Sequence, residues 1–129
     1  MSALNHDIFS NVPKKDYLSL FDKGEARASK VIEFVDFRKD DVAKAVGVPS
    51  NSVRYDERMP LILKERLREW ANLFNLVAQF FEGDAIKTAL WFKTTNPMLG
   101  DITPRDMIRY GRYQKLLKFI LNALSENQH

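Results

Sequence analysis

The sequence contains no cysteine, and its two histidines, His6 and His129, lie at opposite ends of the chain. Without cysteine the chain has no thiol chemistry and no cysteine–histidine site for a metal ion, so we expect neither a metal nor a cofactor. No internal histidine is present to activate a serine or threonine, and no glycine-rich phosphate-binding motif occurs. The paired carboxylates at Asp40–Asp41 and Asp56–Glu57 are interpreted as capping and solubilising groups. These absences predict a protein that binds a partner, and not an enzyme.

Long apolar runs are missing as well. The longest, from Leu73 to Phe81, is interrupted by Asn75 and Gln79, whereas a membrane span needs about 20 apolar residues. The first residues show no charged segment followed by an apolar one, so we expect no signal peptide. Apolar residues nevertheless make up 45% of the sequence, which is enough for a hydrophobic core. We therefore predict a soluble, cytoplasmic protein of one domain or two very small ones, with no membrane partner.

Apolar residues recur with the period of an α-helix along most of the chain, and strand patterns are almost absent. We predict an all-α fold with three parts: a flexible N-terminal arm (residues 1–23), a helix-turn-helix-like bundle (24–59) and a helical domain (60–129). Pro60 suits the start of a long helix, whose wide apolar stripe predicts burial on more than one side. A second amphipathic helix, over Tyr113–Leu124, closes the chain.

The stretch KDDVAKAVGVPSNSVRY, from Lys39 to Tyr55, has the pattern of two short helices joined by a turn. Ala43 is small where the helices would cross, Gly47 can adopt the positive φ of a turn, and Ser50 can cap a second helix. Hydroxyl, amide and guanidinium groups there could read base edges or hold phosphates. The candidate DNA-binding residues are Ser50, Asn51, Ser52, Arg54, Tyr55, Arg58 and Lys39. The alternative is a helical corner that never touches DNA, because the acidic pair Asp56–Glu57 would lie close to the phosphates.

The net charge of +3 is concentrated at one end of the chain. Residues 1–92 hold 14 basic and 14 acidic side chains, whereas residues 93–129 hold six basic and three acidic ones. Arg105, Arg109 and Arg112 follow one another at spacings of four and three, so they can share one helical face with neighbouring tyrosines. Such a face is either a solvated surface or an interface, because arginine and tyrosine are enriched among the residues that dominate binding energy.

The segment ALWFKTTNPMLGDITPRDMIRYGRYQKLLKFI contains ordered, spaced motifs. Asn96 and Thr103 each precede a proline and are predicted to cap the following turn, and Trp91 is predicted to pack beneath the loop. The segment resembles the toxin-binding domain of the Xre/MbcA/ParS family of bacterial antitoxins. The motifs that carry the resemblance are Trp91, Asn96–Pro97, Leu99–Gly100, Thr103–Pro104, Gly111 and the run Tyr113–Leu124. The match covers roughly residues 60–125, and that family carries a helix-turn-helix upstream.

The resemblance implies a function and a partner. Such antitoxins are typically encoded beside a toxin, commonly one with a RES domain that degrades NAD⁺; they block the toxin's active site, and the complex often represses its own operon. The toxin-binding residues would be Arg105, Arg109, Tyr110, Arg112, Tyr113, Asn96 and Leu99. The sequence departs from the family pattern at Asp56, where a tryptophan or other large apolar residue is common. It departs again at Gly100–Ile102, where the family has a turn like Gly-Gly-Arg.

Three functions therefore stay open. The first is the antitoxin of a type II toxin–antitoxin system, which neutralises a cognate RES-type toxin by direct contact and represses its operon. The second is a stand-alone helix-turn-helix transcriptional regulator that binds operator DNA. The third is a helical scaffold that only dimerises, through the wide apolar stripe of the helix over residues 60–82. The first two are compatible, and we expect either a homodimer or a toxin–antitoxin hetero-oligomer.

Overall fold

A computed structural model describes residues 15–127, and helices account for most of that length. The elements are β1 (Phe21–Asp22), β2 (Glu25–Ala26), α1 (Ala28–Phe34), α2 (Lys39–Val46), α3 (Leu61–Phe80), α4 (Ala85–Phe92), α5 (Pro104–Arg109) and α6 (Tyr113–Asn127), with 3₁₀ turns at Ser50–Ser52 and Pro97–Leu99. The predicted all-α fold class is confirmed. Within the described residues, no helix has the length and apolar character that crossing a membrane requires.

Helix α3 is the central element of the structure, because α1, α2, α4 and β2 all contact it. Its buried side chains are Leu63, Leu67, Trp70, Ala71, Leu73, Phe74, Asn75, Leu76, Val77 and Ala78. Phe34 of α1 and Phe92 of α4 both pack on Phe74, each with ring centroids 4.9 Å from it. The burial of α3 on more than one side, predicted from its wide apolar stripe, is thus observed.

One hydrophobic core continues across residue 60, where the sequence suggested a boundary between two parts. Val31, Val42 and Val53 of the N-terminal part are fully buried in the same cluster as Phe74 and Leu116 of the C-terminal part. Helices α1 and α2 of the N-terminal part pack on α3, which belongs to the C-terminal part. The helices on either side of residue 60 therefore form one structural unit.

The end of the predicted N-terminal arm is part of this unit, whereas residues 1–14, which include His6, lie outside the described residues, as does His129. The carboxylate of Asp16 accepts hydrogen bonds from the backbone N–H groups of Leu20 and Phe21, at 2.8 and 2.9 Å, and from the side-chain amide of Asn75 at 2.9 Å. Leu20 is buried in the core. Residues 15–23 are thus fixed to α3, in contrast to the flexible arm that was predicted.

A short hairpin, which the sequence analysis did not predict, follows this segment. Phe21 pairs with Ala26 and Asp22 with Glu25, and the two turn residues, Lys23 and Gly24, both have positive φ. Consecutive positive φ values are typical of the two-residue turns that match strand twist. With two residues in each strand, the hairpin is too short to give an alternating pattern.

The second helix of the predicted helix-turn-helix is absent. Helix α2 ends at Gly47 with φ of 83°, as predicted, but Ser50–Ser52 forms a single 3₁₀ turn followed by irregular chain to Pro60. Ser50 does not cap a helix; its hydroxyl donates to the carboxylate of Asp40 at 2.9 Å. The prediction was wrong because serine and asparagine favour local turns over helix interiors. A further turn is fixed at Asp56, whose carboxylate accepts the Arg58 N–H at 2.9 Å.

Candidate partner-binding surface

Arg105, the first of the three arginines predicted to form a binding face, is turned toward the protein. Its guanidinium donates to the backbone carbonyls of Val35 and Asp36, just after α1, with a distance of 2.9 Å to Asp36. It also lies 5.1 Å above the Phe37 ring and 3.9 Å from the carboxylate of Asp41. The side chain is only 24% exposed, so its positive charge and its donors are mostly used within the fold.

Arg109, one helical turn later, is held in a similar way. Its Nε lies 3.1 Å from Asp106 and its Nη1 lies 3.8 Å from Asp41, while its Nη2 donates to the Tyr110 hydroxyl at 2.8 Å. The hydrogen bond to Asp106 raises the pKa of Arg109, which therefore stays charged. Tyr110 is exposed, with the cations of Lys44 and Arg109 at 4.9 and 4.6 Å from its ring. We name the four interlocked groups the arginine cluster: Arg105, Arg109, Asp41 and Asp106.

Of the other two residues predicted for this face, one points inward and one outward. The hydroxyl of Tyr113 donates to the backbone carbonyl of Glu69 at 3.1 Å, and burial raises the pKa of the Tyr113 phenol. Arg112 is exposed, and its side chain makes no ion pair within residues 15–127. The structure therefore brings the predicted residues near one another, but it does not present them as one free basic face.

The loop from Asn96 to Ile102 carries the other two predicted residues. The side chain of Asn96 caps the 3₁₀ turn by accepting the Met98 N–H at 2.9 Å, as predicted, and Asn96 also pairs with Ile102 through its backbone. Leu99 is partly buried and packs against the core. Met98 points the other way and is 78% exposed. The Thr103 hydroxyl caps α5, as predicted, by accepting the N–H of its third residue at 2.9 Å.

Several large apolar side chains near this loop face solvent. On α4, Ile86 and Leu90 are 81% and 63% exposed, while the core position is taken by Phe92. Trp91, predicted to pack beneath the loop, is partly buried and packs edge-on against Phe92, with ring centroids 5.0 Å apart. We name as the apolar surface the group Phe80, Ile86, Leu90, Trp91 and Met98. Ile86 and Leu90 are four residues apart on α4 and share one of its faces, and Phe80 and Trp91 line one groove. Grouped exposed apolar side chains of this kind are typical of interaction sites.

An apolar groove with a volume of about 240 Å³ lies between the end of α3, α4 and α6 and forms part of this surface. It is lined by Val77, Phe80, Phe81, Trp91, Asn96, Phe119, Ile120 and Ala123. Sequence reasoning missed this site because it sought the binding face among the arginines and tyrosines that follow the loop. A signal was available: the sequence AIKTALWF carries apolar residues on every face, more than one buried face can hold.

The candidate DNA-binding residues lie in the N-terminal part of the structure, before α3. Lys39, Asn51, Arg54 and Tyr55 line a wide, open depression, which also contains Asp56. Arg54 forms an ion pair with Asp56 at 3.1 Å. Ser52 and Arg58 do not line the depression. The Ser50 hydroxyl is hydrogen-bonded to Asp40 of α2. Lys39 begins α2, whereas the other groups lie on the 3₁₀ turn Ser50–Ser52 and the irregular chain after it, so they are not arranged along one helix that could enter the major groove.

Comparison of the chain with protein-family models, with curated proteins and with solved structures finds no match. The family resemblance therefore stays a prediction, and the chemistry of the site is derived from the geometry. Within residues 15–127, no three acidic or histidine side chains are grouped so that they could hold a metal ion. Exposed apolar side chains beside an apolar groove suit burial against a partner.

Proposed function

We propose that this protein is the antitoxin of a type II toxin–antitoxin system, which binds a RES-type, NAD-degrading toxin and blocks its active site. One observation carries the proposal. The exposed apolar side chains Ile86, Leu90 and Met98 lie within, or one helical turn before, the segment that resembles the toxin-binding domain. The resemblance supports a toxin-binding role for this part of the chain, and the exposure selects apolar residues in it in place of the arginines and tyrosines that the resemblance implied.

The apolar surface suits the desolvated centre of an interface better than the arginine cluster does. Interface centres are depleted in charged residues, whereas polar and charged groups form the rim. Arg105 and Arg109 already have carboxylate and carbonyl partners, so a second protein would gain little from them. Leu90 and Met98 lose unfavourable contact with water as soon as a partner covers them. We propose that the apolar surface contacts the toxin and that Arg112 lies at the rim.

Co-expression with the product of the neighbouring gene tests the proposal. We expect the two proteins to co-purify and the growth defect caused by the toxin to be relieved. Leu90→Asp should weaken the complex by at least about tenfold, because it buries an unpaired charge at the interface. The matched control is Leu61→Asp, which changes another exposed leucine, on the first turn of α3, and should leave binding intact.

The outcomes test the antitoxin function and the location of the interface separately. If the wild-type chain neither co-purifies with the neighbouring protein nor relieves toxicity, the antitoxin function is wrong. If the wild type binds and Leu61→Asp disrupts the complex more than Leu90→Asp does, the function stands but the surface is wrong. Light scattering of the purified chain distinguishes a third case. A wild-type dimer that Leu90→Asp converts to a monomer shows that a second copy covers the apolar surface.

Operator binding is a second candidate function, and the depression lined by Lys39, Asn51 and Arg54 favours it. Without a recognition helix, these groups suit contacts to phosphates better than the reading of base edges. Binding of the chain, alone and with the toxin, to its own promoter should weaken as salt rises, because phosphate contacts release counterions. If Lys39→Ala and Arg54→Ala both leave promoter binding unchanged, this depression does not bind DNA.

A further inference from the structure

The described part of the chain begins beside the end of α3 and is fixed to it. The backbone N–H of Leu18 donates to the side-chain carbonyl of Asn75 at 3.0 Å, and the amide of Asn75 donates to Asp16 at 2.9 Å. Asn75 is only 2% exposed, so this anchor is buried. The Tyr17 ring lies against Gly83, where a Cβ atom would be 3.1 Å from its Cδ1. The chain therefore enters the fold at the last part of α3 and the turn that follows it.

The apolar groove lies at the same end of α3. Phe80 and Phe81, which line it, precede Gly83 by three and two residues, so their Cα atoms lie within about 11 Å of the Gly83 Cα. Phe80 is 45% exposed, and further apolar side chains of the lining come from α4 and α6. The residues that precede Lys15 therefore start close to an apolar groove.

Residues 1–14, MSALNHDIFSNVPK, contain large apolar side chains that suit such a groove. Ile8 and Phe9 precede Lys15 by seven and six residues. An extended chain covers about 3.3 Å per residue, so these two side chains can reach about 20 Å from the start of the described chain. That reach is nearly twice the diameter of an α-helix with its side chains, about 10–12 Å. The groove is thus accessible to both of them.

The covalent connection favours this segment over a separate molecule. A segment that is joined to its site by a short stretch of chain has an effective concentration in the millimolar range. A separate protein with the same affinity would need that concentration in solution to occupy the groove equally. Because burial of apolar side chains is favourable in itself, a weak intrinsic affinity is enough for the segment to cover the groove.

We propose that residues 1–14 cover the apolar groove in the free protein, and that Ile8 and Phe9 are the side chains that enter it. The inference does not depend on the proposed antitoxin function, because the occupant belongs to the same chain. It has a consequence for any partner that uses the groove. Such a partner has to displace the segment, so its apparent dissociation constant rises as the fraction of chains with an open groove falls.

Tryptophan fluorescence reports on the groove. Of the two tryptophans, Trp70 is 1% exposed, whereas Trp91 lines the groove. In the full-length chain, Phe9→Asp should shift the emission to longer wavelength and raise the acrylamide quenching constant about twofold, because Trp91 becomes accessible to water. The matched control is Asn11→Asp, which adds the same charge at a polar position and should change neither quantity. Circular dichroism checks that both variants are folded.

A spin label distinguishes the chain's own segment from a second copy. Because the chain has no cysteine, Ser10→Cys provides a single attachment site. The label should broaden the NMR signal of the Trp91 indole N–H within the same chain, and adding Phe9→Asp should sharpen that signal again. In an equimolar mixture of spin-labelled chains and isotope-labelled chains without the spin label, the signal should stay sharp.

Three results would overturn the proposal. If Phe9→Asp changes the fluorescence no more than Asn11→Asp does, or if the spin label leaves the Trp91 signal sharp, residues 1–14 do not cover the groove. If broadening appears in the mixed sample, the label acts from another chain, and a second copy covers the groove instead. Toxin binding is measured separately, so failure of this inference leaves the proposed function standing.

Discussion

The arginines of the arginine cluster and most of the apolar surface come from the C-terminal part of the chain, yet their side chains are used in opposite ways. Arg105 and Arg109 are of a residue type that is common in binding sites, but their side chains point into the fold. There their N–H groups donate to carboxylates and backbone carbonyls. Leu90 and Met98 are of residue types that are common in a hydrophobic core, but their side chains are exposed to solvent. The residue types of a segment therefore do not decide which of its side chains meet a partner.

The difference has a physical cause in what each group needs. A guanidinium has five donors, and the end of α1 offers the unpaired carbonyls of Val35 and Asp36 within its reach. Satisfying these carbonyls stabilises the corner between α1 and α2, so Arg105 serves the fold. An exposed leucine or methionine gains nothing from the surrounding water, and a group of such side chains on one surface is typical of an interaction site.

The largest effect expected on stability is that of Arg105→Ala. Removing the guanidinium leaves the carbonyls of Val35 and Asp36 and the carboxylate of Asp41 without their partner, so the free energy of unfolding should fall by about 2–3 kcal/mol. Urea denaturation followed by circular dichroism measures this change. Met98→Ala is the matched exposed substitution and should stay within about 0.5 kcal/mol of the wild type. If both substitutions lowered the free energy of unfolding equally, the arginine cluster would not stabilise the fold more than the apolar surface does.

A smaller and pH-dependent effect is expected at Asp16, another polar side chain directed into the fold. Burial alone would raise the pKa of its carboxyl, but hydrogen bonds from Leu20, Asn75 and Phe21, together with the charge of Arg27, lower it below the ordinary value. A carboxyl whose pKa is lowered by folding stabilises the native state above its unfolded pKa of about 3.9, and that contribution is lost as pH falls through the folded pKa.

Acid unfolding of Asp16→Asn measures this contribution. At neutral pH the variant should be less stable than the wild type by about 1 kcal/mol, because the amide cannot accept all three hydrogen bonds as a carboxylate does. As pH falls from about 4 through the lowered pKa of folded Asp16, the two stabilities should converge, since the wild-type carboxyl becomes protonated over that range. A difference in stability that stays constant from pH 7 to pH 2 would show that the charge of Asp16 contributes nothing.

The smallest effect is expected at Arg112, the one arginine of the predicted face that is exposed and makes no ion pair in the described part of the chain. Arg112→Ala should leave the free energy of unfolding within about 0.5 kcal/mol of the wild type, as is usual for surface positions. Toxin binding should weaken only about twofold to threefold, at low salt, because rim charges act mainly on the association rate. A tenfold loss of affinity would show that Arg112, and not the apolar surface, lies at the centre of the interface.

Much of the fold could be predicted from the sequence, because it depends on local signals. The period of the apolar residues indicated α3 and α6, and the side chains of Asn96 and Thr103 cap the turns that they were expected to cap. Gly47 ends α2 with the positive φ that its position suggested. In each case the residues that determine the conformation lie within four positions of it, where propensity and capping preferences act.

The features that could not be predicted depend on contacts between distant parts of the chain. The carbonyl groups that hold Arg105 lie 69 and 70 residues before it, so nothing in the neighbourhood of Arg105 reveals that it points inward. The second helix after α2 was predicted from a motif pattern, yet the turn at Asp56 and the restriction that Pro60 places on the preceding residue favour irregular chain. The exposure of Ile86 and Leu90 follows from Phe92 occupying the core position of α4.

The single core that runs across residue 60 has a consequence for what a bound partner does to the rest of the chain. If the chain unfolds in one cooperative step, a ligand that binds only the folded form stabilises all of it by mass action, by about 2.7 kcal/mol when the free ligand is at 100 times its dissociation constant. A protein bound at Leu90 would therefore also slow hydrogen exchange at those amides of α1 and α2 that exchange only through global unfolding, although it binds on α4. Binding at one surface would thus raise the free energy of unfolding of the whole molecule.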